Sequence, residues 1–352
     1  MGEAIRYGIV GCAGIGNTHA KAVHAADGAD LVACADVSEE AAAAFAETHE
    51  VPQRYGSVST MIEEGDVDAI SICTPSGTHA QIAIEAAEAG AHILCEKPLD
   101  VYVERINAMI AACDEAGVTL AGVFQRRFAP ELRGARALIA SGEFGDPVLG
   151  STQTRWFRSQ GYYDSGGWRG TREMDGGALM NQGIHAIDAL QWVVGDVESV
   201  QAMTGRVARD LECEDTGAIA LSFENGAMGT IEVTTGVVGG NDRLEVSATN
   251  GSIGFDGDDL VDCVVGTGET SAYQAEITEH SLEASPHPHG EGHIGVVQDF
   301  VTAIANGTEP EVPAAQARKA VDIILAAYRS SETGQRIDLE TLRATPDSAP
   351  VQ

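Results

Sequence analysis

Lysine is nearly missing from this chain: Lys21, Lys97 and Lys319 are the three, against 18 arginines. Basic residues of both kinds number 21 and acidic residues 53, a formal net charge of −32. That balance excludes nucleic acid and anionic membranes as partners, because both would be repelled. Aromatic residues are sparse at 5%. The seven cysteines form no CxxC pair, so neither a disulfide framework nor a zinc site is expected, and reduced thiols in a cytoplasmic protein are. No apolar run approaches the length of a membrane span. The first apolar stretch, Tyr7 to Cys12, is short and runs straight into glycines, unlike a secretory leader. Repeats and low-complexity linkers are also absent. What is present is 352 residues, 44% apolar, enough for two packed domains. The acidic residues are interspersed with apolar periodicity, as in Glu39-Glu40, Glu63-Glu64 and Glu212 to Asp215. Spread this way, with lysine suppressed, they point to a folded enzyme from a salt-rich cytoplasm, where ions screen the repulsion.

Short β-rich runs alternate with Ala/Glu-rich helical stretches over the first third. The expected strands are Tyr7–Val10, Leu31–Ala35, Ala69–Cys73, His92–Cys95 and Leu120–Phe124, with helices near 15–26, 38–48, 78–89 and 101–116. This alternation predicts an α/β Rossmann domain with a doubly wound parallel sheet over residues 1–125. Its first strand-to-helix turn reads Gly11-Cys12-Ala13-Gly14-Ile15-Gly16, a GxGxxG pattern with alanine in the second glycine position. Such a turn lets backbone approach a diphosphate and lets helix pack on strand. Asp36 closes the second strand 20 residues after Gly16. A carboxylate there binds ribose hydroxyls and repels a 2′-phosphate, which favours NAD over NADP. The same residue also reads as a turn or capping carboxylate ahead of Ser38. Thr74-Pro75-Ser76-Gly77-Thr78-His79 is a turn and helix start that also sits where it can line a cofactor. Glu96-Lys97-Pro98 ends the His92–Cys95 strand. An ammonium at that strand end can hold a substrate hydroxyl and stabilise charge growing on its oxygen.

Further along, Gly176-Gly177 leads into an apolar helix that carries Asn181, His185 and Asp188 at i, i+4 and i+7. A polar stripe on an apolar helix must line a cavity or find partners, and a histidine there is a candidate acid or base. Asp188 either orients the imidazole or takes a backbone or arginine partner. In this order, Gly-x-Ala-x-x-Gly, Asp36, the Thr74–His79 turn, Glu96-Lys97-Pro98 and Asn181…His185…Asp188 resemble the Gfo/Idh/MocA family of oxidoreductases over about residues 5–340. The resemblance implies that Lys97 and His185 flank the reacting carbon, and it implies oligomerisation through the second domain. The family often carries aspartate where this chain has Asn181. The function expected is NAD(P)-dependent hydride transfer at a hydroxyl carbon of a sugar or cyclic polyol. An NAD-dependent glycoside hydrolase with a transient redox cycle and a non-catalytic dinucleotide-binding regulator remain as alternatives.

Beyond Arg127 the pattern changes to successive strands, Val148–Phe157, Ser199–Arg206, Ala218–Phe223, Gly229–Thr235 and Leu244–Ala248. Hairpin signals stand at Glu224-Asn225-Gly226 and Thr249-Asn250-Gly251. An α+β substrate-binding domain with a large, mostly antiparallel open sheet is expected over 126–343, followed by a flexible tail over 344–352. One face of such a sheet needs covering, so a homodimer or homotetramer through it is expected. Trp156, Arg158, Trp168 and Arg169 combine flat apolar faces with fixed donors, which suits a sugar or polyol. The arginines also keep open a substrate bearing an acid or phosphate. His287-Pro288-His289-Gly290-Glu291-Gly292-His293 suits a loop before a helix, and no metal is expected there. His293, at the helix start, is placed to reach the substrate.

Overall fold

The computed structural model describes residues 4–265 and 292–344. The expected loop from His287 to Glu291 and the tail beyond Ala344 lie outside them. The chain divides into two compact units. One runs up to Gln125 and takes back a later segment ending at Arg318; the other starts at Arg126 and resumes at Lys319. The second domain is therefore not the unbroken span 126–343 that the sequence predicts.

The first unit holds six strands: β1 (Ile5–Val10), β2 (Ala29–Ala35), β3 (Gln53–Tyr55), β4 (Ala69–Ile72), β5 (His92–Cys95) and β6 (Leu120–Gly122). All are parallel, in the order β3-β2-β1-β4-β5-β6. Every residue of Ala-Ile-Ser-Ile in β4 is buried, as a central parallel strand covered on both faces requires. The intervening helices are α1 (Gly14–Ala25), α2 (Glu39–Thr48), α3 (Val58–Gly65), α4 (His79–Glu88) and α5 (Val103–Ala116). Ser38 caps α2 by accepting the Ala41 N–H at 3.2 Å, and Ser57 caps α3 through Thr60 N–H at 3.3 Å. Each cap is worth about 1 kcal/mol. The strand order reverses between β1 and β4, and the crevice at such a switch point is where these sheets take ligands.

The second unit begins with a 3-10 turn at Gln125–Phe128 and α6 (Pro130–Ala140). Then come β7 (Pro147–Arg155), α7 (Gln160–Asp164), a π-helical turn at Leu179–Gly183 and α8 (Ile184–Val194). The sheet continues with β8 (Val197–Gly205), β9 (Thr216–Phe223), β10 (Met228–Thr234), β11 (Asp242–Ala248), β12 (Gly251–Asp256) and β13 (Asp259–Val265). The chain returns to the first unit with α9 (Gly292–Asn306), passes through α10 (Ala314–Thr333), and closes with β14 (Ile337–Asp338) and α11 (Leu339–Ala344). The eight strands run β13-β12-β11-β7-β10-β9-β8-β14, antiparallel except for the parallel β7–β10 pair. Both anticipated hairpins are present, joining β9 to β10 and β11 to β12. Helix α8 packs on β7 and β11. Strands β8 to β11 alternate buried and exposed residues, so the sheet's other face is open in this chain.

Candidate active site

In the first unit the glycine turn is built as its sequence pattern requires. Gly11 has φ +96°, and a Cβ there would stand 2.6 Å from the Cys73 carbonyl oxygen. A Cβ on Gly16 would stand 2.1 Å from the Gly11 oxygen, so only glycine lets α1 close on β1. A Cβ on Gly14 would meet nothing within 4 Å. Ala13 is the N-cap of α1 and supplies no side-chain bond, and the first turn of α1 carries no acidic residue. The unshared N–H groups at that end, with the exposed Ile15 beside them, fit the diphosphate of a dinucleotide. Asp36 lies at the end of β2 and serves both readings given above. Its Oδ2 accepts the Cys12 N–H of the glycine turn at 2.9 Å, and its Oδ1 accepts the Ser38 N–H at 2.8 Å.

Glu96 is buried and held on both oxygens. His19 Nε2 lies 3.0 Å and His293 Nε2 3.5 Å from its Oε1, while its Oε2 accepts the Lys97 N–H at 3.0 Å. Burial alone would raise its pKa, but the hydrogen bonds from His19 and His293 and the nearby Lys97 charge hold it well below the ordinary carboxylate range. Behind it, His19 Nδ1 contacts Ser71 Oγ at 2.8 Å, which in turn contacts the Tyr7 hydroxyl at 2.8 Å. The chain of contacts anchors the segment from which half-buried Lys97 projects. Among the described residues, His19, Glu96 and His293 are the trio whose potential ligand atoms all lie within 4.8 Å of one another, and hydrogen bonds satisfy them. Glu96 thus holds the Lys97 backbone N–H, and His293 joins His19 in holding Glu96. His79 is held by protein groups as well. It is buried, with Nδ1 2.8 Å from the Pro98 oxygen and Nε2 2.9 Å from the Thr74 oxygen, so it ties two loops together. Thr74 and Pro75 keep partial exposure, and Thr74 Oγ1 pairs with Thr78 Oγ1 at 2.7 Å.

In the second unit the helix that carries His185 departs from the regular stripe. Asn181 sits in the π-helical turn and His185 in the first turn of α8. The wider turn breaks the 3.6-residue period on which the i, i+4, i+7 pattern rests, and such turns recur at functional sites. Asn181 Nδ2 donates to Asp175 Oδ1, and Asn181 Oδ1 accepts from Gln182 Nε2 at 2.6 Å. Asp175 is buried and also accepts the Gly170 N–H at 2.7 Å. A carboxylate is thus present beside Asn181, from a position six residues earlier that the helix pattern does not mark. Asp188 is not an orienting partner for His185. Its two oxygens take Arg127 Nε at 2.8 Å and Nη2 at 2.5 Å, and both side chains are 1% exposed. Arg127 also faces Trp192, with Cζ 5.6 Å from the ring centroid.

The helix lead-in hangs on Glu214, which sequence reasoning misses. Its Oε1 accepts the Leu179 N–H at 2.8 Å and meets the Tyr328 hydroxyl at 3.0 Å. Gly177 has φ +91°, and a Cβ there would lie 2.0 Å from the Glu214 carboxylate. The glycine pair is the available signal; Glu214 lies 35 residues beyond Leu179, whose N–H it accepts. Burial outweighs the hydrogen bonds and pushes the Glu214 pKa up to about 8. The folded state therefore keeps this proton where the unfolded chain has lost it. Stability drawn from the site is full below about pH 4.5 and falls as pH rises toward 8, by about 1.4 kcal/mol per pH unit at most. Glu214→Gln is expected to flatten that slope in urea denaturation at pH 5, 6.5 and 8. The same slope in both proteins would show that Glu214 is ionised when folded.

The aromatic and arginine candidates form one layered series. Arg158 Cζ lies 5.2 Å from the Trp156 ring and 5.3 Å from Tyr162; Arg169 Cζ lies 4.4 Å from Tyr162 and 4.5 Å from Trp168. Arg158 Nη2 donates to Gln182 Oε1 at 2.9 Å, which links the series to Asn181.

Residues 5–124 match the family described as "Oxidoreductase family, NAD-binding Rossmann fold", and residues 132–254 match the "GFO/IDH/MocA C-terminal domain". The chain is 31% identical over 270 residues to the uncharacterized oxidoreductase YrbE of Bacillus subtilis, covering 73% of this chain and 75% of that protein. It is 29% identical to D-xylose 1-dehydrogenase (NADP(+)) 2 of Haloferax volcanii, over 95% and 99% of the two chains. In structure it is similar to the WlbA dehydrogenase of Bordetella pertussis, solved with NADH and UDP-GlcNAcA. That match has a TM-score of 0.88 and 35% identity over 96% of this chain and 98% of that one. A glycine turn built for a diphosphate, a lysine anchored at the end of β5 and these likenesses agree, and the chain belongs to the GFO/IDH/MocA family of NAD-binding oxidoreductases.

Proposed function

We propose that this protein oxidises one CH–OH carbon of a sugar or cyclic polyol, with NAD preferred over NADP. The observation that carries the reading is the anchored Glu96–Lys97 segment, which presents one of only three lysines at the carboxyl end of β5. Lys97 is assigned to hold the substrate oxygen as negative charge grows on it. His185 is assigned to take the hydroxyl proton. Asn181, fixed by Asp175 and Gln182, is assigned to a neighbouring substrate hydroxyl. Bound NAD supplies the acceptor for the hydride that leaves the same carbon. The glycine turn and the N-terminus of α1 are assigned to its diphosphate and Asp36 to its adenosine ribose, where a carboxylate disfavours a 2′-phosphate. The sugar-directed names of the similar proteins support the substrate class. The test is NADH formation with a panel of sugars, inositols, sugar acids and nucleotide sugars in molar KCl. Released sugar with no net NADH would instead indicate a hydrolase, and binding of NAD with no turnover of any compound would indicate a regulator.

The interspersed acids at a net charge of −32 support a salt-rich cytoplasmic setting, where the protein's own repulsion is screened. No helix among the described residues is long and apolar enough to cross a membrane. We assign self-association to the open face of the large sheet, where Met203 and Met228 are exposed beside Ala218 and Ala220. A native mass of 36.7 kDa by light scattering in molar KCl would remove that assignment.

A further inference from the structure

Three guanidinium groups in the second unit form one stacked cluster. The chain has 53 acidic residues, and several of its arginines take carboxylates: Arg127 takes Asp188, Arg155 takes Glu232, and Arg343 takes Asp322. Among the described residues, Arg158, Arg169 and Arg209 take none. Their hydrogen bonds go to neutral oxygens. Arg158 donates to the Phe157 carbonyl and to Gln182 Oε1, and its buried Nε has no acceptor. Arg169 donates to the Tyr162 hydroxyl at 2.6 Å, and Arg209 to the carbonyls of Arg158 at 2.6 Å and Ala208 at 2.9 Å. Aromatic faces hold all three planes, with Arg209 Cζ 5.1 Å from the Phe157 ring. Asp164, the acid on the same loop, is held instead by Gln160 Nε2 at 3.0 Å.

Three like charges gathered on one loop cluster repel, and in so acidic a chain a carboxylate is the ordinary remedy. Here the remedy is withheld, while stacking fixes the forks and most of their N–H donors lack a protein acceptor. A guanidinium held flat on a ring with donors unspent is preorganised for a planar or tetrahedral oxyanion. The cluster is joined through Gln182 to Asn181, the residue assigned above to the substrate.

We propose that Arg158, Arg169 and Arg209 form an anion subsite, so that the substrate is a sugar carrying a carboxylate or phosphate group. This rests on the reading of the protein as a sugar dehydrogenase and narrows it. Neutral sugars leave the three charges uncompensated, whereas an acidic sugar gains charge-assisted hydrogen bonds and a fixed orientation over the reacting carbon.

The test compares matched probes: glucose, glucuronate and glucose 1-phosphate, and the pair UDP-GlcNAc and UDP-N-acetylglucosaminuronate. Wild type is expected to use the member of a pair that carries the extra sugar carboxylate or phosphate with kcat/KM at least tenfold above the member that lacks it. Arg158→Gln and, separately, Arg209→Gln are expected to raise KM for the member with the extra anionic group about 10- to 100-fold, mainly without loss of kcat, and to raise KM for the member that lacks it at least tenfold less. Equal losses for both members in variants with wild-type melting curves would overturn the proposal, because the arginines would then be structural. If no probe is oxidised with NAD or NADP, the dehydrogenase reading has failed separately. Calorimetry then still decides the subsite: binding of glucuronate or inorganic phosphate to wild type and not to the Arg158→Gln/Arg209→Gln double variant supports it, and no binding to wild type overturns it.

Discussion

His185→Asn is expected to lower kcat by about 10²- to 10⁴-fold, the range a general base contributes. It should also remove the limb of the pH–rate profile that reports the base, while NADH binding followed by fluorescence stays close to wild type. The separation follows from where the parts lie. The glycine turn, Asp36 and Lys97 belong to the first unit, and His185 stands in the first turn of α8 in the second. Asparagine keeps a polar group of moderate size at this half-buried position, so the packing of Ile184 and Ile187 around it need not change. Lys97→Met is the companion measurement, expected to cost about 10²- to 10³-fold in kcat through lost stabilisation of the oxygen. A pH–rate profile for His185→Asn that overlays wild type would end the assignment of His185.

The largest stability effect belongs to Asp188. Asp188→Ala takes the bidentate carboxylate away from the buried Arg127 guanidinium, and breaking a buried pair in this way costs about 3–5 kcal/mol. Urea denaturation should register it as a shifted midpoint with an unchanged slope. Arg127→Met/Asp188→Leu removes both charges and is expected to recover most of the loss, since a well-packed apolar pair of similar volume is commonly no worse than a buried ion pair. If Asp188 instead oriented His185, the alanine variant would keep its stability and change its pH–rate profile. The measurement therefore separates the two readings that the sequence leaves open.

Much of the first unit is legible because its signals are local. A glycine turn between strand and helix, an acid at the next strand end, and three buried residues before Glu96-Lys97-Pro98 each declare themselves within a few positions. Strand β3 and helix α3 escape notice, since three residues at a sheet edge carry no period and α3 spans only 8. In the second unit the hairpin at Thr249-Asn250-Gly251 is visible, but the strands it opens, β12 and β13, are not separately anticipated. The site is harder because its contacts are distant. Asp188 finds Arg127 61 residues away, and His19 meets Glu96 across 77. No spacing rule reports such pairs. The π-helical turn defeats the helical period itself, so Asn181, His185 and Asp188 do not form one regular stripe, and of the readings open for Asp188 the arginine partner is the one observed.

The return of α9 to the first unit has a consequence for how the chain is made. Helix α9 supplies Phe300, whose ring stands edge-on to Tyr7 at 6.3 Å, and Gln298, which pairs with the backbone of Asp27. It also supplies His293 to Glu96. On the ribosome these groups emerge long after the six-stranded sheet has been synthesised, so the nascent nucleotide-binding unit waits with part of α1 and the anchor of Lys97 uncovered. Completion of that unit is thereby deferred until α9 has followed the strands of the second sheet out of the exit tunnel.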